Sequence, residues 1–390
     1  VKKLRVLVLV HADHVPPEST EGYTDEQIDA WKAEFDVTLT LRNLGHEVLP
    51  VGIYDDLAPL RDALRDFQPD ITFMMLEEFY GVVTYDFAVT SYLELMRQPY
   101  TGCNPRGLLL SKDKSLTKKL LAYHRIPTPH FTVFAPGRKI RRPKRLRFPL
   151  FVKSSIDDAS LGISQASIVH DDEALVQRVQ FLQERTTADV LAEEYIDGRE
   201  FYVGVIGNER LQTFPVWELL FSKMPPEMAR IATRRVKWDR KYQVRHGIET
   251  EAARDLEPAL DERIRRICKR VYRALGMSGY ARMDLRLTAT GELYVIEANG
   301  NPNIEFGEDF AESAESVGVD YEALLQRILN LGLRYRAPWQ ALRRMTAHHG
   351  ASRRVTARHG AGRQRTAGRR IDSPTAWACA WACASAGPRW

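Results

Sequence analysis

A chain of 390 residues, 44% hydrophobic and 27% charged, can bury a substantial core and is long enough for two or three domains, which excludes a disordered protein. Its net charge of +5 is misleading: residues 337–390 hold ten arginines and one acid, Asp372, whereas residues 1–336 carry 46 basic against 50 acidic side chains and net −4. The four cysteines, Cys103, Cys268, Cys379 and Cys383, have neither disulfide-framework nor zinc-site spacing, so a reducing, cytoplasmic setting is expected, and no segment has the apolar length to span a bilayer.

Val1-Lys2-Lys3 followed by the apolar run Leu4 to Val10 opens as a secretory signal does, but the run is short and ends at His11, so it reads as a buried first strand. Two more strands are expected over His46 to Ile53 and Asp70 to Leu76, with helices around Glu26 to Leu44 and Leu57 to Phe67 between them and Gly45 as a helix stop. That alternation predicts a parallel sheet. After the first strand comes His11-Ala12-Asp13-His14-Val15-Pro16-Pro17, without the glycines of a dinucleotide fingerprint, which disfavours a dehydrogenase.

A helix is expected from Ser111-Lys112-Asp113-Lys114 through Leu116, Leu120 and Leu121, ended by Pro127-Thr128-Pro129. Beyond the basic, solvated stretch Arg138 to Arg147, a short strand, Phe148 to Val152, delivers Lys153 into the hydroxyl-rich loop Ser154 to Ser164. A lysine beside Ser154, Ser155, Ser160 and Gly162 suits a polyphosphate; taken alone, a solvated edge lysine is an equal reading. Val190 to Ile196 and Glu200 to Ile206 flank Asp197-Gly198 and predict a hairpin, with its carboxylates in water unless a nucleotide lies near Glu200.

Leu260, Ile264, Ile267, Val271 and Leu275 share one face of a core helix that has Pro258 near its start and Gly276 at its end. Strands Met283 to Leu287 and Leu293 to Ala298 then enclose Ala289-Thr290-Gly291-Glu292. A turn symmetric about Thr290 and Gly291 sets Asp284 opposite Glu297 and Arg282 opposite Asn299, all on one side because side chains alternate. Opposed carboxylates repel by on the order of a few tenths of a kcal/mol or more. Arg282 could offset that as a structural salt bridge, the ordinary reading of an arbitrary hairpin. Asp284, Glu297 and Asn299 are also the oxygen set a hard octahedral cation takes when phosphates complete its shell, leaving Arg282 to stabilise an anion.

The segment Gly279-Tyr280-Ala281-Arg282-Met283-Asp284, the pair Glu297-Ala298-Asn299, and Lys114, Lys153 and Glu200 upstream resemble, in order and spacing, the ATP-grasp ligases, most nearly the D-alanine–D-alanine ligase branch, from about Ile71 to about Leu333. The resemblance implies an α/β chain, α+β in its nucleotide-binding part: a Rossmann-like domain over residues 1–110, an ATP-grasp lid subdomain over 111–195 and a metal-binding, catalytic subdomain over 196–336. Residues 337–390 lack core-building periodicity and read as a disordered tail; its arginines are the one route to nucleic acid, and a solvated extension is the plainer reading.

At matching positions the family implies ATP phosphates and adenine held by Lys114 and Lys153, with Ser160 and Gly162 in the phosphate loop. Adenine would be received by Glu193 and the backbone of Glu194, Tyr195 and Ile196, and the ribose hydroxyls by Glu200. Two Mg2+ ions, with Mn2+ as the alternative, would lie on Asp284, Glu297 and Asn299; Lys241 would reach the terminal phosphate from a lid loop, and Arg282 would stabilise the tetrahedral intermediate. The chemistry implied joins a small-molecule carboxylate, as of an amino acid or peptide, to an amine through an acyl phosphate. No membrane partner is expected, and a homodimer is one possible assembly, since the resemblance is to a family in which dimers are common.

The amino-acid half of the pattern departs from the family. His11 to Thr20 and Leu76-Glu77-Glu78-Phe79-Tyr80-Gly81 replace its glycine- and serine-rich segment with glutamate and its His-Gly to Gly-Glu-Asp-Gly segment. Asp158 and Ala159 replace glycine and serine in the phosphate loop; Gly300-Asn301-Pro302-Asn303-Ile304 replaces Thr-x-Pro-Gly-Met, and the substrate-side serine pattern is missing. The resemblance thus implies how ATP is used, not what is joined. A true D-alanine–D-alanine ligase with a divergent substrate loop, an ATP-grasp kinase and a silent nucleotide-binding module are the alternatives.

Overall fold

The first strand, β1 (Arg5–His11), is apolar on both faces: Val6, Val8 and Val10 enter one core and Leu7 and Leu9 another, as a strand covered by helices on two sides requires. The computed structural model describes residues 2–156, 162–186 and 188–338; Asp158, Ala159 and Ser160 of the phosphate loop, and the basic tail beyond Pro338, lie outside the described residues. After β1 come α1 (Asp25–Asp29), α2 (Lys32–Asn43), β2 (Glu47–Ile53), α3 (Ala58–Asp66), β3 (Ile71–Met74) and α4 (Asp86–Leu95). The strands pair in parallel in the order β2-β1-β3. Val37 and Leu41 of α2 cover one face; Leu60 of α3 and Val89 and Leu93 of α4 cover the other.

The helix expected over Glu26 to Leu44 is two helices. Thr24 and Gln27 form a capping box that starts α1, and Trp31 leaves the helical region to bury its ring against Tyr23 and Phe35 before α2 begins. Gly45 closes α2 at φ +85°, as expected. The helix expected from Ser111 is also divided: α5 (Pro105–Lys112) ends where Asp113 adopts an extended conformation and caps α6 (Lys114–Tyr123) through the Leu116 N–H.

A four-stranded antiparallel sheet follows, built from β4 (Phe131–Phe134), β5 (Leu150–Ser154), β6 (Ile168–Val169) and, after α7 (Asp172–Gln183), β7 (Val190–Glu194), in the order β4-β7-β5-β6. Leu175, Val179 and Leu182 of α7 pack on it. The rest of the chain runs β8 (Arg199–Ile206), β9 (Gln212–Thr213), β10 (Trp217–Phe221), α8 (Arg234–Trp238), α9 (Arg240–His246), β11 (Ile248–Ala252), α10 (Pro258–Ala274), β12 (Tyr280–Leu287), β13 (Leu293–Gly300), α11 (Asp309–Glu315) and α12 (Tyr321–Arg334). Its strands form one sheet, β11-β10-β8-β12-β13, with β9 beside β8. Ile264, Ile267 and Val271 of α10 fill its inner face with Val203, Met283 and Val295, and α6 contributes Leu121 to that core, not to the four-stranded sheet.

The hairpin expected about Asp197-Gly198 does not form. β7 pairs with β4 and β5, and β8 with β10 and β12, so the two strands belong to different sheets. Gly198 has φ +148°, and a Cβ there would stand 2.0 Å from the Leu287 carbonyl oxygen. The glycine serves a close crossing of two backbones instead of a two-residue turn. No helix among the described residues is long and apolar enough to cross a membrane.

Candidate active site

The β12–β13 pair sets Asp284 opposite Glu297 and Arg282 opposite Asn299, the expected partners reached by a different route. The turn closes Thr288 on Glu292, so Leu287 faces Leu293, a register that by itself would bring Ile296 opposite Asp284. A register shift between Asp284 and Leu285 leaves Ile296 as the extra residue and brings Glu297 into place. Arg282 donates from Nε and Nη2 to the two Asp284 carboxylate oxygens at 2.8 and 3.1 Å, and from Nη1 to Asp309 Oδ2 at 2.8 Å. Its guanidinium carbon lies 4.5 Å from the centre of the Tyr202 ring. The Asn299 amide nitrogen donates to Asp284 Oδ2 at 3.3 Å, and Lys114 Nζ stands 3.0 Å from Glu297 Oε1.

The two carboxylates differ electrostatically. Burial pushes the Asp284 carboxyl up, and Glu297 adds to this, so the group stays above the usual range even beside Arg282. Burial would also raise Glu297, but Lys114, Lys153 and Lys237 overcome it and hold the carboxyl at about 2. A depressed folded-state value stabilises the fold above the ordinary 4.5 and loses that contribution as pH falls towards about 2. In metal-free protein, Glu297→Gln should therefore flatten the decline in urea-unfolding free energy between about pH 5 and pH 2. An unchanged decline would show that these lysines do not hold the carboxylate.

Beside the hairpin a cleft of about 620 Å3, counted out to open solvent, is lined by Lys153, Glu193, Glu194, Tyr195, Ile196, Glu200, Asp284 and Glu297. Glu193, buried in β7, receives Lys153 Nζ at 2.9 Å and Lys118 Nζ at 2.5 Å; Lys118 also donates to Thr128 Oγ1 at 2.9 Å. Burial alone would raise the Glu193 carboxyl, and the two lysines hold it low. Arg286 is the β12 residue paired with Glu200 of β8, and its Nη2 reaches Glu200 Oε2 at 2.5 Å while Nη1 donates to the Ile196 carbonyl at 2.8 Å. The N–H groups of Glu194 and Tyr195 are already bonded to the His130 and Pro149 carbonyls.

Lys241 is exposed on α9 and does not line this cleft; Lys237, four residues earlier on α8, does. Asp239 separates the two by ending α8 and capping α9 through the Tyr242 N–H, which re-aims the chain between them. Lys114 likewise faces Glu297 and is not a lining residue of the cleft. Gly162 takes φ +72° and its carbonyl accepts from Arg178; Ser160 is outside the described residues. Four charged groups here were not anticipated: Lys118, Lys237, Arg286 and Asp309. Period-two alternation through Arg282 and Asp284 leads to Arg286, and one helical turn leads from Lys114 to Lys118, so both carried a signal. Asp309 arrives from α11, and no local spacing points to it.

Residues 120–330 match the family model described as the D-ala D-ala ligase C-terminus, a span that holds the whole hairpin. The chain belongs to the D-alanine–D-alanine ligase family. It is an ATP-dependent ligase of the ATP-grasp fold that joins a carboxylate to an amine. A D-alanine–D-alanine ligase of Syntrophotalea carbinolica is 31% identical over 300 residues, 75% of this chain and 88% of the relative. An uncharacterized protein of Sinorhizobium fredii, y4sG, is 30% identical over 305 residues, 76% of this chain and 86% of the relative. Among solved structures, the D-alanine–D-alanine ligase of Bacillus anthracis superposes with a TM-score of 0.67 at 23% identity, covering 85% of this chain and 98% of its own. That of Coxiella burnetii gives 0.65 at 19% identity, covering 91% and 100%. These likenesses establish the ATP-grasp fold.

Proposed function

We propose that ATP binds in the cleft beside β12 and β13, that a divalent metal lies on Asp284, Glu297 and Asn299, and that a small-molecule carboxylate of amino-acid or peptide type is activated there as an acyl phosphate. The observation that carries this reading is the opposition of Asp284 and Glu297 in a cleft whose walls also bear Lys153 and Lys237. No three of His, Cys, Asp and Glu cluster as metal ligands among the described residues, so this is a two-carboxylate set with one amide. It nevertheless fits a hard cation: the donors are oxygens, and burial, with Glu297 opposite, keeps the Asp284 carboxyl raised even beside Arg282, so added positive charge would be favoured there. Bound Mg2+ or Mn2+, two ions on the family's pattern, would supply Lewis-acid neutralisation of the phosphates.

Lys153 and Lys237 supply point charges for the triphosphate, and Glu200, held by Arg286 and the Tyr202 hydroxyl, has its orientation fixed for a ribose. A carboxylate oxygen of the substrate attacks the γ-phosphorus as the bond to ADP breaks, giving the acyl phosphate. The amine nitrogen then attacks the acyl carbon and loses a proton, and phosphate leaves with the electrons of the carbon–oxygen bond. Arg282, just beyond the nucleotide cleft, donates to the oxyanion of that second step.

With ATP, Mg2+ and hydroxylamine, a panel of carboxylates including D-alanine should yield ADP and a hydroxamate. ADP production with a phosphorylated acceptor and no hydroxamate for any carboxylate would end the ligase reading. Dipeptide from D-alanine alone would assign this chain the substrate named by its relatives. Arg282→Met should retain ATP affinity and lose about 10²–10³ in kcat, since an oxyanion contact acts only after binding. Weakened ATP binding with an unchanged rate at saturation would make Arg282 a nucleotide ligand.

A further inference from the structure

The walls of the nucleotide cleft come from two parts of the chain with separate cores. Ile163 lines it just after the phosphate loop, on the side of the four-stranded sheet, whose core is built around Leu150, Val152 and Val179. Ile231, Ala232 and Lys237 line it from α8 and the segment before it, which packs through Met224 and Val236 on Trp217 and Leu219 of β10. The side-chain amide of Gln165 reaches from the first wall to the second. Its Nε2 donates to the Ala229 carbonyl at 2.9 Å, and its Oε1 accepts from the Ala229 N–H at 3.0 Å. A two-point contact of this kind fixes orientation as well as distance.

Both ends of the contact are themselves held. Gln165 opens a 3-10 turn, Gln165–Ser167, in which the Ser164 N–H donates to Ser167 Oγ at 3.1 Å. Arg178 of α7 donates to the same Oγ at 2.8 Å and also to the Gly162 carbonyl. On the far side, Arg286 donates to the carbonyl of Arg230, the residue after Ala229. From Ala229 the hydrogen bonds then step towards Lys237. The Ile231 N–H donates to the Ala229 carbonyl at 3.1 Å, the Thr233 N–H to the Ile231 carbonyl at 2.9 Å, and the Lys237 N–H to the Thr233 carbonyl at 3.1 Å. Thr233 Oγ1 caps α8 by accepting from the Val236 N–H at 3.3 Å. The place of Ala229 thus sets where α8 begins, and α8 puts Lys237 in the cleft, near enough to Asp284 and Glu297 for its charge to act on both.

We propose that Gln165 is a positioning residue for Lys237: it ties the start of α8 to the phosphate-loop wall, so that the ammonium group stands ready for the triphosphate. The inference rests on the nucleotide reading of the cleft. Its physical basis is preorganisation, since a cation already in place does not have to be ordered when the nucleotide arrives. Ala229 takes part through its backbone, so the contact depends on the side chain at position 165 and not on the one at 229.

The test is a double-variant cycle read by calorimetry, with Mg2+ and the non-hydrolysable β,γ-imido analogue of ATP as the probe. Gln165→Ala should weaken binding about tenfold, the scale of two neutral hydrogen bonds. A misfolded fraction would change the stoichiometry and leave the affinity of the folded protein readable. Lys237→Met should weaken binding too, and Gln165→Ala added to it should cost less than about twofold more, because the group being positioned is then gone. Unchanged affinity in Gln165→Ala would overturn the proposal. So would a full tenfold loss in the Lys237→Met background, which would make Gln165 a general brace of the cleft. A wild type that does not bind the analogue is a different failure, since it removes the nucleotide reading and this inference with it.

Discussion

Glu297→Gln is expected to lower metal-dependent ADP formation by about 10³-fold, the scale of losing one aimed charge in a water-poor site, while leaving the fold intact. The exchange keeps the size and shape of the side chain and removes only its charge. Glu297 is also the better ionised of the two opposed carboxylates, held at about 2 by Lys114, Lys153 and Lys237, so it is the dependable anion for a cation ligand. Asp284, raised by burial and by Glu297 itself, should become easier to ionise in the variant, which protects folding but cannot replace the missing ligand. Circular dichroism should be unchanged, and Mg2+ or Mn2+ titration of activity should not recover the wild-type rate. Turnover near wild type at saturating metal would remove Glu297 from the machinery.

The largest loss of stability should come from Glu193→Gln. Lys118 and Lys153, with side chains 1% and 4% exposed, both pair with this one carboxylate, so its neutralisation leaves two buried ammonium groups facing an amide. Breaking a buried ion pair from one side costs roughly 3–5 kcal/mol. Lys118→Met should cost less, because Glu193 keeps Lys153 and burial already works against charge on Lys118. The double variant should lose less than the two single losses added together, since the methionine removes one of the ammonium groups stranded by Glu193→Gln. Urea unfolding at constant ionic strength gives all four free energies. Strict additivity would show that the three groups do not act as one network.

The parallel strands, the core helix from Pro258 and the positive-φ glycine stops were legible because each is fixed by local periodicity or by one conformational demand. The hairpin at Asp197-Gly198 was misread because its signal is also local, whereas β7 and β8 take their partners from strands far along the chain. Trp31 divided a helix for a similar reason: its burial against Tyr23 and Phe35 outweighs the helical preference of its neighbours. In the candidate site, alternation brought Arg282, Asp284, Glu297 and Asn299 together, and it could have supplied Arg286. That Lys237 lines the cleft while Lys241 is exposed, and that Asp309 meets Arg282, depends on where α8, α9 and α11 settle, which is tertiary information.

The extra residue at Ile296 has a consequence for what the cleft can hold. A regular strand sends neighbouring side chains to opposite faces, yet Ile296 and Glu297 both line the cleft. The irregularity thus lets a single step of backbone change the wall from hydrocarbon to anion. A ligand with a flat, weakly polar ring at one end and a highly charged chain at the other needs that abrupt change of surroundings within its own length. Removing the extra residue would leave the opposed carboxylates one regular ladder to sit on, but would take the hydrocarbon neighbour away.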